Sequence, residues 1–175
     1  MGSDSINNCT NRVKIKYLIL IFSVGILSVC GDDENDITFE FINQNLQGQI
    51  GGTEWDLVAG KAQDFSTNND FLSMEMVGVA VVDTCQLSLP NTSKIFFEVP
   101  KQVGLYQLKV GLQNPGITQT VTFFVAAENQ NYIASQGAIE ILEIDLENEL
   151  LKGRLDARVD KQNFINGNFC LVLCD

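Results

Sequence analysis

Apolar and polar residues alternate, or apolar residues cluster, in short runs along most of the chain: "FLSMEMVGVAVV" (71–82), "CQLSL" (85–89), "KIFFEV" (94–99), "LYQLKV" (105–110), "TVTFFVA" (120–126), "AIEILEID" (138–145), "LLKGRLDARV" (150–159) and "FCLVL" (169–173). Turn-forming stretches such as "PNTS", "QNPG", "AENQN" and "DKQNFINGN" stand between them. A turn roughly every eight to twelve residues, with no sustained 3.6-residue period, predicts an all-β domain: an antiparallel β-sandwich or barrel-like fold of about eight to ten strands. The alternation is clearest at 150–159. There Leu151, Gly153, Leu155, Ala157 and Val159 share the face expected to meet the core, and Lys152, Arg154, Asp156 and Arg158 share the wet one. "QGQIGGTEW" (47–55) predicts an opening hairpin that turns at Gly51-Gly52, with "WDLVAGKAQDF" running back and Trp55 packed inward.

The pattern differs at the other end of the chain. Arg12, Lys14 and Lys16 precede "YLILIFSVGIL" (17–27), which carries no charge and is about half the length a helix needs to span a bilayer. This is the layout of a secretion leader rather than of a core helix. Leu27-Ser28-Val29-Cys30 then resembles the lipobox of bacterial lipoproteins, although Val29 stands where that family has a small residue. The resemblance implies cleavage before Cys30, acylation of its thiol and a membrane anchor without a transmembrane helix, because two or three acyl chains hold a protein on a bilayer persistently. "GDDEND" (31–36) has nothing to bury and is expected to be a solvated tether. Acids directly after the lipid cysteine also resemble the surface-export signal of Bacteroidetes-type lipoproteins. The expected divisions are a signal peptide at 1–29, the lipidated cysteine with its tether at 30–45 and a β-rich domain at 46–175. The expected location is the outer membrane, at the cell surface or on the periplasmic face.

Without the leader, eight basic side chains stand against 21 acidic ones, a net charge of −13. No basic stripe exists to attract a nucleic acid. The chain has no histidine, which removes Ser-His-Asp and Cys-His catalysis and histidine-based zinc sites. The glycines at 48, 51 and 52 form no phosphate-binding loop. No cofactor is implied, and the expectation is a protein that is not an enzyme.

The cysteines carry more information. With Cys9 lost and Cys30 acylated, Cys85, Cys170 and Cys174 remain in an oxidising compartment. Cys170 and Cys174 on one strand would lie about 13 Å apart, beyond the limit of roughly 7 Å for a disulfide. A bridge is therefore expected from Cys85 to one of the two, with Cys174 favoured because it would fix a chain end. Closing a loop of nearly ninety residues would stabilise the fold by roughly 4 kcal/mol.

Glu143, Asp145, Glu147 and Glu149 in "EIDLENE" offer oxygens that a calcium ion could use, but no D-x-D-x-D-G loop is present, so a solvated hairpin turn is the expected role. Phe39, Phe41, Tyr106, Phe123, Phe124 and Tyr132 are expected in the core. The "NTS" at 91–93 is read as a turn.

A "QIGGTEW" start, an alanine-containing return strand, an "LSL" strand, and "GAIEILEIDLENELLKGRLDARV" closed by "INGNF" resemble a family of small Bacteroidetes-type lipoproteins of unknown function. Leu155 and Ile165 depart from that pattern, where an aromatic residue and a threonine would stand. The resemblance spans about residues 46–174. It implies an exported β-domain and supplies no catalytic residue. The functional expectation is a lipid-anchored, non-catalytic module that binds a protein or glycan; a carboxylate-based glycan-processing enzyme and a structural envelope component are the alternatives.

Overall fold

In a computed structural model the two-residue periodicity becomes strands whose alternate side chains are buried. The structure describes residues 39–65, 68–110 and 119–174. The leader, Cys30 and the acidic run lie outside them. The described residues belong to one compact unit. Among the described residues the strands are β1 (Gln47–Ile50), β2 (Thr53–Asp56), β3 (Ala59–Phe65), β4 (Asn68–Val77), β5 (Lys94–Pro100), β6 (Gly104–Gln107), β7 (Val121–Val125), β8 (Gln130–Ala134), β9 (Gln136–Asp145), β10 (Leu150–Arg158) and β11 (Phe164–Cys174). They form one sheet in the order β6-β9-β10-β11-β3-β4-β5-β7-β8, with the β1–β2 hairpin attached to β11 through β1. The sheet curls into a half-barrel, the barrel-like form of the expected all-β class. All pairs are antiparallel except β11 with β3, where Val172, Leu173 and Cys174 lie beside Lys61, Ala62 and Gln63.

The concave side holds the core. Leu72 and Met74 of β4, Ile95 of β5, Phe123 of β7, Ile139 of β9, Leu155 of β10 and Ile165 of β11 are fully buried there, each contributing about 1.5–3 kcal/mol by leaving water. Phe97 and Phe169 meet edge to face, their centroids 6.5 Å apart, an arrangement the aromatic quadrupoles favour. On β10 the expected division holds except at one position: Leu151, Gly153, Leu155 and Ala157 are buried and Lys152 and Arg154 stand on the convex side, but Asp156, expected in water, is buried because it accepts from the Glu40 amide and the Arg158 guanidinium. Gly51 and Gly52, at φ of 61° and 73°, make the two-residue turn between β1 and β2, with Ile50 opposite Thr53. Trp55 points inward and is 6% exposed. Its indole N–H has no hydrogen-bond partner among the described residues.

Three expectations need correction. The strand expected at 71–82 ends at Val77, leaving Val79 and Val82 exposed. "CQLSL" is not a strand. The Asp83 carboxylate accepts hydrogen bonds from the amides of Cys85 and Gln86, a local turn that competes with extension. A covalent bond at Cys85 then fixes this loop to β11. Conversely, "QNYIA" forms β8, which the hydrophobic pattern did not mark because an edge strand buries little.

Candidate functional site

The convex face of β2, β1, β11 and β10 carries a polar lattice whose order follows from strand register. Asp56, Gln47, Asn166 and Asp156 form one row, and Glu54, Gln49, Phe164 and Arg158 form the next. Their neighbours Trp55, Ile50, Ile165, Leu155 and Ala157 point into the core, so alternation alone assigns the lattice residues to the outside.

Residues 39–46, here called the strap, cross this face. They were expected to belong largely to the tether. The Asn166 carboxamide accepts a hydrogen bond from the Ile42 amide at 2.9 Å and donates one to the Glu40 carbonyl at 2.7 Å. Asn168 exchanges backbone hydrogen bonds with Gln44 and Leu46, and its side chain donates to the Asn43 carbonyl oxygen of the carboxamide. Gly167, at φ 141°, admits the strap closely: a Cβ there would sit 2.6 Å from the Asn45 carbonyl oxygen. Asp156, 2% exposed, accepts from the Glu40 amide at 3.2 Å and from the Arg158 guanidinium at 2.9 Å. A buried carboxylate held by a charged donor and an amide is satisfied rather than costly. Farther along the strap the Arg154 guanidinium, paired with Glu140, lies 4.5 Å from the centre of the Phe41 ring, and Phe39 packs beside Phe41 at 5.4 Å.

Strap and lattice together enclose a groove of about 580 Å³, bounded by Glu40, Ile42 and Gln44 on one lip and by Gln47, Gln49, Glu54 and Asp56 on the other. Its donors and acceptors are amides and carboxylates over the Phe164 ring. That set suits a ligand with many hydroxyl or N–H groups. A shallower depression of about 480 Å³ lies on the convex face of β4, β5, β7 and β8, where Phe96 and Phe124 flank the Lys94–Glu75 ion pair of 2.7 Å.

The residues singled out by sequence are placed as follows. Cys85 and Cys174 form a disulfide, with Cα atoms 5.7 Å apart. Cys170, on the same face of β11 as Cys174, is not part of that bridge. Cys30 lies outside the described residues. The acids once considered for calcium serve the β9–β10 hairpin. Glu143 pairs with Lys152 at 2.9 Å. The Asp145 carboxylate accepts from the Asn148 carboxamide and from the Asn148 and Glu147 amides, and the Asn148 bonds hold its pKa below the ordinary value. Among the described residues no group of three or more potential ligands is arranged to hold a metal. Phe123 is buried as expected, whereas Phe39, Phe41 and Phe124 lie on the convex side. Sequence reasoning read "QGQI" and "TEWD" as a hairpin but did not see that their outward Gln47, Gln49, Glu54 and Asp56 build a groove wall. The signal was their period of two.

No protein-family model matches the chain, and neither a curated protein nor a solved structure is significantly similar to it. Among the described residues no helix is long and apolar enough to cross a membrane.

Proposed function

We propose that the chain is a lipoprotein anchored through acylated Cys30, displayed on the outer membrane, and that its β-domain binds a protein or glycan ligand in the convex groove without catalysing a reaction on it. The groove carries the reading: an open, polar, amide- and carboxylate-lined channel over an aromatic ring, beside the segment that leads back to the tether. Its acidic lining disfavours polyanions.

The four carboxylates of the groove, Glu40, Glu54, Asp56 and Asp156, also raise the carboxylate-enzyme alternative. Glu40 stands on the lip opposite Glu54 and Asp56, but the placing of the other three weighs against that alternative. Asp156 is committed to Arg158 and the strap. Asp56 is three strands away from it, about 14 Å between backbones, whereas glycosidase carboxyl pairs stand roughly 5–9.5 Å apart. Glu54 and Asp56 sit side by side on one strand rather than across the groove.

Proteinase shaving of intact cells with mass analysis of the N-terminal peptide tests the anchoring. The expected result is a diacylated or triacylated Cys30 and release of domain peptides. An unmodified Cys30, or full protection from protease, refutes it. Saturation-transfer NMR with neutral oligosaccharides and with synthetic peptides tests the groove, and a signal unchanged in Gln49→Arg places binding elsewhere.

A further inference from the structure

The half-barrel has a seam. β6 and β8 end the strand order, and each has one paired edge, with β9 and β7 respectively. At one end the seam is pinned by Lys109 and Gln119, which exchange both backbone hydrogen bonds just beyond β6 and just ahead of β7. β6 runs antiparallel to that segment and β8 antiparallel to β7, so β6 and β8 run parallel to each other across the gap. A strand laid between them would be antiparallel to both, the more stable pairing.

Hydrogen-bond phase shows which groups face the gap. The Leu108 amide donates to Gly137 of β9, so by alternation Leu105 and Gln107 turn their N–H and C=O groups away from β9. The Ala126 amide donates to Ser93 beside β5, so the odd residues of β7 face β8, and Asn131 and Ile133 turn theirs outward. Leu105 and Ile133 are 52% and 59% exposed.

Natural edges are guarded by lysine, proline or inward charge. "GLYQ" and "QNYIA" contain none of these, and the nearest lysine along the β6 edge, Lys109, stands at the pinned end of the seam. Inside the seam Tyr106 and Tyr132 rest on the core and are tied to their own loops, Tyr106 to the Gln102 carbonyl and Tyr132 to the Glu128 carboxylate. Glu128, through that bond and its charge, and Asp160, through its charge, both favour the protonated Tyr132 hydroxyl. Glu128, held against Tyr132 by that bond, thus sets a carboxylate on the β8 side of the seam, on a chain with 22 acidic and 11 basic residues.

We propose that the β6–β8 seam is a strand-acceptor site, which takes an extended polypeptide segment of alternating small and β-branched residues with basic flanks, antiparallel to both edges. Backbone groups of Leu105, Gln107, Asn131 and Ile133 supply the affinity, and the Glu128 carboxylate on the β8 side selects the charge of the guest. This surface is separate from the convex groove, and its test does not depend on the anchor.

The test is residue-resolved amide exchange on the full-length protein, alone and with a synthetic peptide whose valine–threonine core lies between lysines. A second peptide with the same core between glutamates serves as the charge control. The lysine peptide is expected to slow exchange at Leu105, Gln107, Asn131 and Ile133 by at least about tenfold, and to bind about tenfold more tightly than the glutamate peptide. Leu105→Pro removes an N–H that the β6–β9 ladder does not use and is expected to abolish this protection. Ile133→Lys keeps every backbone group and weakens the lysine peptide alone, which preserves the test if the proline variant does not fold. Protection by neither peptide overturns the proposal, as does equal binding of both. Slow exchange at these amides without peptide also overturns it: a concentration-dependent effect makes a second copy the occupant, and a concentration-independent one means the seam is already closed.

Discussion

Two irregular segments are fastened to the convex side of β11, by different means. The strap, residues 39–46, is held near the start of the strand by the side chains of Asn166 and Asn168 and by Asp156 of β10. The loop at 78–93 is held at the other end by the Cys85–Cys174 disulfide and by a hydrogen bond from Lys61 to the Cys85 carbonyl. One attachment is many weak directional bonds spread over eight residues. The other is one covalent point with few hydrogen bonds beside it, from Lys61 to the Cys85 carbonyl and from the Ala126 amide to Ser93. The strap is thus positioned along its whole length and can form a groove wall, whereas the loop is shaped only locally, by the Asp83 turn and the burial of Leu87, and Val79 and Val82 stay exposed.

The largest expected effect belongs to the covalent attachment. Cys174→Ser opens a loop of 89 residues and is expected to lower unfolding stability by roughly 4 kcal/mol, read from the urea midpoint. Amide exchange should then rise in 78–93 and not in 39–46. If both segments loosen together, they are one cooperative unit and the contrast fails. Next comes Asp156→Ala, expected to cost about 2 kcal/mol. That is less than the rupture of a fully buried pair, because Arg158 is 44% exposed and regains water. The strap amide of Glu40 should lose protection while the disulfide loop is unchanged.

Phe41→Ala removes the ring beneath Arg154 and is expected to cost about 0.5–1 kcal/mol. Phe41→Tyr should keep the stacking, and a matching loss in both variants would mean that the cation–ring contact contributes nothing. The smallest effect is local and pH-dependent. Asp145 caps its turn as Asp83 caps part of the 78–93 loop, and its folded-state pKa lies below its unfolded one. The stability it contributes is fully present above the unfolded value near 3.8 and is lost as pH falls through the folded one. Acidification should speed exchange at Glu147 and Asn148 before the strap opens, and Asp145→Ala should remove that pH dependence. Simultaneous opening of turn and strap would show that the two carboxylate-held features are coupled.

Much of this architecture was legible because it is local. Period-two alternation located most strands, Gly51-Gly52 supplied the two positive-φ residues of the first hairpin, and the reach of a disulfide excluded a Cys170–Cys174 bridge. The groove was less legible. Gln47, Gln49, Glu54 and Asp56 were readable as outward-facing, but nothing in "FEFINQN" announced that it would lie across β11. Its partners are 116 to 126 residues away in sequence. "CQLSL" misled for a related reason: its apolar spacing suits a strand, but Asp83 and the tie to Cys174 hold it in a turn.

The sequence by itself determined the all-β class, the inward and outward faces of the strands, the turns at Gly51-Gly52 and Asp145, the absence of histidine chemistry and the strong negative charge. These follow from side-chain type and from a backbone that presents successive residues to opposite faces. Tertiary structure alone decided the strand order, the parallel meeting of β11 with β3, the placement of the strap, and the β6–β8 seam. Each of these depends on which distant segments bury their surfaces together, a choice that local propensity and periodicity do not encode.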